Sequence, residues 1–111
     1  MWLERPDGDR VAVSGNVSFG RTAGNTVALA DERVSRRHAL IHPQGEDEFW
    51  LVDLGSRNGT YINQRRVSLP QRLRDADRIQ IGPFAFTFRQ SLTGGGGRGE
   101  TATTLQKLMD V

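Results

Sequence analysis

The length, composition and charge of this chain narrow the classes of protein to which it can belong. Its 111 residues are the size of one ordinary domain, enough to bury a core without metal or disulfide support. The absence of cysteine excludes disulfides, thiolate zinc sites and cysteine nucleophiles. A net charge of +2 is too small to predict nucleic-acid binding from charge alone.

The sequence also carries information on compartment and on anion recognition. Residues 1–10 lack the apolar core of a signal peptide, and no later segment is apolar enough to cross a membrane, so we expect a soluble, cytoplasmic protein or fragment. Of the 15 basic residues only Lys107 is a lysine. The planar fork of arginine matches phosphate and carboxylate oxygens, so this bias permits oxyanion recognition, although an arginine-rich genome produces the same bias.

Short strands separated by turns account for most of the chain. β-branched and aromatic runs bounded by turn residues predict strands at residues 11–19, 26–30, 38–43, 49–55, 60–63, 78–82 and 84–89. Alternation aligns Ile79 with Ile81, and Phe84 with Phe86 and Phe88, which is typical of core-facing side chains. No segment before residue 90 has the caps and periodicity of a helix, so the sequence predicts an all-β sandwich.

Glycine and asparagine mark turns between these strands. Such signals occur at residues 15–16, 23–25 and 58–59. The Asn58–Gly59 pair predicts a hairpin, because both residue types tolerate a positive φ.

An abrupt change of composition predicts the end of the folded unit. Residues 93–100 are mostly glycine, which is typical of a flexible linker. We therefore predict a domain over residues 1–92. Residues 93–111 are then a linker and a threonine-containing tail, either a disordered end or the start of a following region.

Three predicted loops carry side chains that suit an anion. They span residues 19–25, 31–38 and 53–63. The loops of a β-sandwich gather at its ends, so loops far apart in sequence can meet, and a phosphate requires charge and several donors at fixed angles. The candidate donors are the guanidinium of Arg21, the hydroxyl of Ser35, the charge or backbone N–H of Arg36 and the amide of Asn58. An amide both donates and accepts, which suits a peptide backbone.

The order and spacing of these motifs resemble those of a forkhead-associated (FHA) domain. The motifs are "GR" at residues 20–21, "SRRH" at 35–38, "DLGSRNGTYINQRRV" from residue 53, "LRDADRIQIG" from residue 73 and a final "FAFTFR". The resemblance covers about residues 2–90, and the motifs are specific as a set although each is common alone. It implies a β-sandwich of about eleven short strands in two sheets, with a phosphothreonine-peptide site in the loops at one end.

The resemblance also implies roles for individual residues. Arg21 and Ser35 look like phosphate contacts, and Arg36 looks like the neighbour that supports them. Asn58 looks like the residue that binds the peptide backbone beside the phosphothreonine. Arg33 lies where family members select the third residue after the phosphothreonine, and its charge favours an acidic residue there.

Other motif positions look architectural or depart from the family pattern. Gly20, His38 and Gly59 look architectural, with His38 bracing its loop by hydrogen bonds without touching the ligand. Arg57 stands where a serine or threonine often precedes the asparagine, so a long cation either adds charge at the phosphate or points to solvent; Arg57 is counted among the candidate peptide-binding residues. Arg37 receives no role.

Metal-binding and catalytic interpretations of the same residues are disfavoured. His38 and His42 lie four positions apart, but no third protein ligand accompanies them. Ser35, His38 and Asp53 are the residue types of a hydrolase triad, but Ser35 has no nucleophile elbow. The sequence has no P-loop, dinucleotide motif or kinase signature. We therefore expect a protein that is not an enzyme and uses no metal or cofactor.

The sequence thus predicts a module that binds phosphothreonine-containing proteins in a Ser/Thr kinase pathway, without nucleic-acid or membrane partners. The main alternative is a phosphate-independent interaction or dimerisation module. Nucleic-acid binding is weaker, because Asp31 and Glu32 interrupt the basic loops. A phosphorylated Thr101, Thr103 or Thr104 is a further candidate ligand at high effective concentration, although no acidic residue stands three positions after any of them.

Overall fold

The computed structural model describes residues 1–90, which form the all-β sandwich that the sequence predicts. Its strands are β1 (Trp2–Glu4), β2 (Arg10–Ala12), β3 (Val17–Gly20), β4 (Val27–Ala28), β5 (Ala39–Gln44), β6 (Glu48–Asp53), β7 (Thr60–Ile62), β8 (Arg65–Arg66), β9 (Gln71–Arg72), β10 (Arg78–Ile81) and β11 (Phe84–Arg89). These residues form no helix, and hence none that could cross a membrane. The predicted linker and the tail threonines Thr101, Thr103 and Thr104 lie outside the described residues.

The strands are divided between two sheets. One sheet has six strands in the order β2-β1-β11-β10-β7-β8, and the other has five in the order β4-β3-β5-β6-β9. Neighbouring strands are antiparallel except for β3 and β4, which run parallel. The chain leaves the five-stranded sheet after β6 and enters the six-stranded sheet at β7.

Strand register brings the predicted anion-binding loops to one end of the sandwich. Phe19 pairs with Ala39, and Ala39 pairs with Asp53, so the end of β3, the start of β5 and the end of β6 are adjacent. In the other sheet Thr60 pairs with Ile81, which puts the start of β7 beside the end of β10. The segments that follow or precede these strand ends therefore emerge together.

Aromatic and aliphatic side chains from both sheets fill the space between them. The alternation predicted for the last two strands is confirmed, since the inward side chains are buried or partly buried: Ile79, Ile81, Phe84, Phe86 and Phe88. The Phe19 ring packs on the Phe86 ring with centroids 5.5 Å apart, joining the two sheets. Burial of one such ring stabilises the fold by roughly 1.5–3 kcal/mol. Val34, in the loop before β5, is also fully buried and ties that loop to the core.

The prediction of a hairpin at Asn58–Gly59 was wrong. Gly59 does take a positive φ of 91°, but the strands on either side of it, β6 and β7, belong to different sheets. The hairpin turn lies a few residues later, between β7 and β8, where Asn63 and Gln64 have φ values of 49° and 71°. A positive φ is needed both in tight hairpins and in turns between sheets, so the residue pair alone does not distinguish them.

We expect Gln64→Gly to stabilise the fold. A residue with a side chain loses roughly 1–2 kcal/mol in the left-handed region, whereas glycine enters it at a smaller, entropic cost. Because Gln64 has a φ of 71°, the free energy of unfolding should rise by about 0.5–1 kcal/mol in urea denaturation.

Asn63→Gly is the matched control in the same turn. Asn63 Nδ2 donates to Asp77 Oδ1 at 2.9 Å, and Asn63 Oδ1 accepts from the backbone N–H of Arg78 at 3.0 Å. Glycine loses both hydrogen bonds, so this variant should be destabilised. A Gln64→Gly protein no more stable than the wild type would contradict this account of the turn.

Candidate functional site

Two adjoining concavities lie at the end of the sandwich where the loops meet. The first, of about 400 Å³, is lined by Arg21, Glu32, Arg33, Val34, Ser35, Arg36, Arg37, Arg57 and Asn58. The second, of about 520 Å³, shares Glu32, Arg33, Arg57 and Asn58 and adds Asp31. The structure therefore brings together every side chain for which the sequence predicts a phosphate or peptide contact. It adds Arg37, which had no predicted role.

Gly20 allows the loop of residues 33–38 to lie against the end of β3. A Cβ at Gly20 would stand 2.0 Å from the carbonyl oxygen of Arg36 and 2.5 Å from Nδ2 of Asn25. The first of these contacts is with backbone, which cannot rotate away. Any side chain at position 20 therefore displaces the loop that carries Ser35.

Asn25 joins two loops of the site, a role that the sequence analysis missed. Its Nδ2 donates to the carbonyl oxygen of Arg36 at 2.9 Å, and to Oγ1 and the carbonyl oxygen of Thr22, each at 3.0 Å. The available signal was the "AGN" of residues 23–25, which indicates a turn and nothing more. Asn25 thus holds the main chain of Arg36 against the loop that follows β3.

Ser35 is held by main-chain contacts that leave its hydroxyl hydrogen available. Its N–H donates to His38 Nδ1 at 3.1 Å, and its carbonyl oxygen accepts the N–H of Arg21 at 3.0 Å. Its Oγ accepts the N–H of Arg57 at 3.0 Å, and within residues 1–90 the hydroxyl donates to no acceptor. The half-buried hydroxyl can therefore donate to a ligand in the first concavity.

The buried ring of His38 connects the Ser35 loop to the loop before β7. Nδ1 accepts the Ser35 N–H, and Nε2 donates to the carbonyl oxygen of Gly59 at 2.8 Å. Because one nitrogen must accept and the other must donate, the geometry selects the neutral tautomer with its hydrogen on Nε2. His38 does not line either concavity, so it acts on the site through these two loops.

Arg21 contributes a guanidinium that is only partly committed to the protein. One Nη1 hydrogen bond runs to the carbonyl oxygen of Val34 at 3.1 Å, and the side chain is half-buried. Across residues 1–90, no carboxylate lies within ion-pair distance of it. Its other N–H groups remain as donors to an oxyanion.

Asn58 stands between the two concavities. Its Nδ2 donates to the carbonyl oxygen of Arg33 at 2.9 Å, and its side chain is exposed. One Nδ2 hydrogen bond leaves a second N–H and the carbonyl oxygen of the amide for a ligand. This combination matches the alternating donors and acceptors of an extended peptide.

Arg33 is already paired with a carboxylate of its own loop. Its Nε and Nη2 donate to the two oxygens of Asp31, each at 2.9 Å, and its backbone N–H donates to Asp31 Oδ1 at 2.8 Å. These hydrogen bonds lower the pKa of Asp31 to about 2. A ligand carboxylate that approaches Arg33 must therefore share or displace Asp31.

Asp53 organises the loop that carries Asn58 and Gly59. Its Oδ1 accepts the hydroxyls of Ser56 and Thr60, and its Oδ2 accepts two backbone N–H groups of the turn. Burial raises the pKa of Asp53, but the hydrogen bonds from Ser56 and Thr60 outweigh burial, so the pKa lies below its usual value of 3.8. The ionised carboxylate therefore stabilises the crossing between the sheets.

The residue types of a hydrolase triad do not assemble. Ser35 presents its backbone N–H to His38, not its hydroxyl, and the Asp53 carboxylate is occupied by Ser56 and Thr60. His42 is exposed and contacts Asn16 Oδ1 at 3.0 Å. Over the described range, residues 1–90, no cluster of three or more His, Asp or Glu is placed to hold a metal ion.

A comparison with known protein families identifies the family of this chain. Residues 17–82 match the family model of the FHA domain. The chain belongs to the FHA domain family. The matched residues run from the start of β3 to the Gly82 that follows β10, and they include every residue that lines the two concavities.

Curated relatives and solved structures resemble this FHA domain. The glycogen accumulation regulator GarA of Mycolicibacterium smegmatis is 44% identical over 71 residues, which are 64% of this chain and 44% of GarA, so the chain spans less than half of that relative. Mycobacterium tuberculosis EmbR in complex with a low-affinity phosphopeptide superposes with a TM-score of 0.74 at 28% identity, covering 89% of this chain and 25% of EmbR. A structure from a study of phosphothreonine-dependent FHA domain interactions superposes with a TM-score of 0.73 at 32% identity, covering 82% of this chain and 96% of that one.

The stability of this FHA domain should depend on pH through Asp53. A carboxyl group whose pKa is lower in the folded protein stabilises the fold above its unfolded-state pKa, and this contribution is lost as the pH falls through the folded pKa. We therefore expect Asp53→Asn to lower the thermal midpoint at pH 7. The difference from the wild type should shrink once the pH falls below the usual pKa of 3.8.

Thermal unfolding of both proteins, followed by circular dichroism from pH 7 down to about pH 3, measures this difference. Other carboxyl groups titrate in both proteins, so the comparison isolates the Asp53 carboxylate together with its electrostatic interaction with His38. A difference that stays constant over this range would show that the charge of Asp53 does not stabilise the loop.

Proposed function

We propose that this FHA domain binds phosphothreonine-containing protein segments and so mediates phosphorylation-dependent protein interactions in cytoplasmic Ser/Thr kinase signalling, without catalysing a reaction. The observation that carries the proposal is the hydroxyl of Ser35. Its oxygen accepts the Arg57 N–H, and its hydrogen remains to donate to a ligand in the concavity that the partly committed guanidinium of Arg21 also lines. A phosphate oxygen is the group that such a pair of donors fits best.

The proposed roles in phosphate binding follow from the charge of the side chains and from their position in the first concavity. Arg21 and Ser35 contact the phosphate, and Arg36, exposed at the edge of the first concavity, adds charge to it. A phosphate monoester carries a charge of about −1.5 to −2 at pH 7, so two arginines balance it. Binding then depends on the phosphate, while the flanking residues adjust affinity.

The peptide on either side of the phosphothreonine is read by the second concavity. Asn58 binds the peptide backbone, and Arg33 faces the third residue after the phosphothreonine. The binding unit is the domain of residues 1–92. By likeness to GarA, whose name describes a regulator, we propose that the domain serves a regulatory protein whose partner is modified by a kinase.

Arg21→Ala and Ser35→Ala should each weaken binding to a fluorescein-labelled phosphothreonine peptide by about 10- to 150-fold. Charge-assisted hydrogen bonds contribute roughly 1.5–3 kcal/mol each, which corresponds to that range. Fluorescence anisotropy measures the affinity, and thermal unfolding shows that the variants remain folded.

Arg65→Ala is the matched control for loss of one arginine charge. Arg65 lies in β8, is exposed, and lines neither concavity. Its affinity should equal that of the wild type. Equal binding of the phosphorylated and unphosphorylated peptides to the wild type would refute the proposed function and favour a phosphate-independent interaction module.

Asp31→Asn should increase the preference for an acidic third residue. The asparagine side chain can still accept the Arg33 N–H, but the substitution removes the carboxylate that competes with the peptide for the guanidinium. Exposed ion pairs are weak, so the preference for Asp over Ala in the peptide should rise by only about two- to fivefold. Binding of both phosphopeptides to wild type and variant measures it, and an unchanged ratio would show that Arg33 does not face this residue.

A further inference from the structure

The two concavities contain more positive charge than one phosphate requires. Five arginines line the first: Arg21, Arg33, Arg36, Arg37 and Arg57. Arg33 is neutralised by Asp31, but among residues 1–90 the other four make no ion pair. The exposed Glu32 and a single phosphate together do not balance four arginines. The site is therefore electrostatically suited to a ligand with a second anionic group.

Arg57 is the arginine best placed to meet such a group. Its backbone N–H is bonded to Ser35 Oγ at 3.0 Å, so its main chain lies beside the proposed phosphate position. Its exposed side chain lines both concavities, including the second one beside Arg33 and Asp31. Arg57 and Arg33 therefore both belong to the part of the site that the two concavities share.

The proposed direction of the peptide identifies which ligand residues pass Arg57. In the proposed function the phosphothreonine lies at Ser35 and the third residue after it lies at Arg33. An extended chain advances about 3.3 Å per residue, so only the first and second residues after the phosphothreonine span the interval between them. In the proposed pose these two residues pass the part of the site that both concavities share, which Arg57 lines.

We propose that Arg57 selects a second anionic group, a carboxylate or a second phosphate, on the first or second residue after the phosphothreonine. This inference rests on the proposed function and specifies its ligand. The planar fork of arginine pairs with either anion through two parallel hydrogen bonds, which a serine or threonine at this position cannot do. The ligand is thus an acidic or doubly phosphorylated segment, not only a singly phosphorylated one.

The test compares phosphothreonine peptides that differ at the first and second following positions, with alanine, glutamate or phosphoserine there. Anisotropy titrations use the full 111-residue chain. The wild type should bind the glutamate peptide about threefold to fivefold more tightly than the alanine peptide, and the phosphoserine peptide more tightly still. The glutamate and phosphoserine arms measure how strongly the site prefers a carboxylate and a second phosphate, respectively.

Arg57→Ala should abolish this preference and weaken the alanine peptide no more than Arg37→Ala does, because the backbone N–H that holds Ser35 remains. Arg37→Ala is the matched control. Arg37 lines the first concavity but also a separate depression with Thr22 and Asn25, away from Arg33. Its loss should weaken all the phosphopeptides by a similar factor and leave the preference intact.

Three other outcomes would each overturn the inference. If the wild type binds the three phosphopeptides equally, Arg57 selects nothing and the inference fails while the proposed function stands. If Arg57→Ala weakens all of them equally, Arg57 contacts the phosphothreonine itself, and the inference is overturned. If no phosphopeptide binds the wild type more tightly than its unphosphorylated counterpart, the proposed function fails, and the inference fails with it.

Discussion

The neutral imidazole of His38 is the contact on which the binding end of this domain depends. It accepts the N–H of Ser35 on one side and donates to the carbonyl oxygen of Gly59 on the other, so two loops from different sheets are held in one register. Both polar ring atoms are satisfied in a fully buried position, where an unpaired group costs roughly 1–3 kcal/mol. The loop geometry therefore exists before any ligand arrives, and less ordering is left to oppose binding.

The packed sandwich holds the binding loops rigidly, and the exposed arginines attract an anion to them. Val34 is buried beneath the loop, while Asn25 and Gly20 hold the Arg36 main chain close to β3. The arginine side chains that remain exposed at this end retain their freedom and adjust to an anion. The Asp31–Arg33 pair is an exception, because the Asp31 carboxylate already accepts two hydrogen bonds from the Arg33 guanidinium.

Much of the fold and of the site could be predicted because it depends on local pattern. Alternating residues such as Ile79 predict buried strands, and the resemblance to the FHA domain predicts which loops meet. The pairing of Arg33 with Asp31 and the bridge made by Asn25 depend on side-chain rotamers and loop approach, which no local pattern encodes. The two-residue strands β8 and β9 are exposed at both positions, so they carry no alternation to detect. Asn58 misled the turn prediction because the sequence does not show to which sheet the next strand belongs.

The most direct measurement is an NMR titration of the ¹⁵N-labelled chain with a phosphothreonine peptide and with its unphosphorylated counterpart. We expect saturable shifts of the amides of Ser35 and Arg57 and of the Arg21 side chain with the phosphopeptide alone. The imidazole signals of His38 should report the tautomer with its hydrogen on Nε2 both before and after binding. Equal shifts with both peptides, or a change of the His38 tautomer on binding, would contradict a phosphate site that is formed in advance.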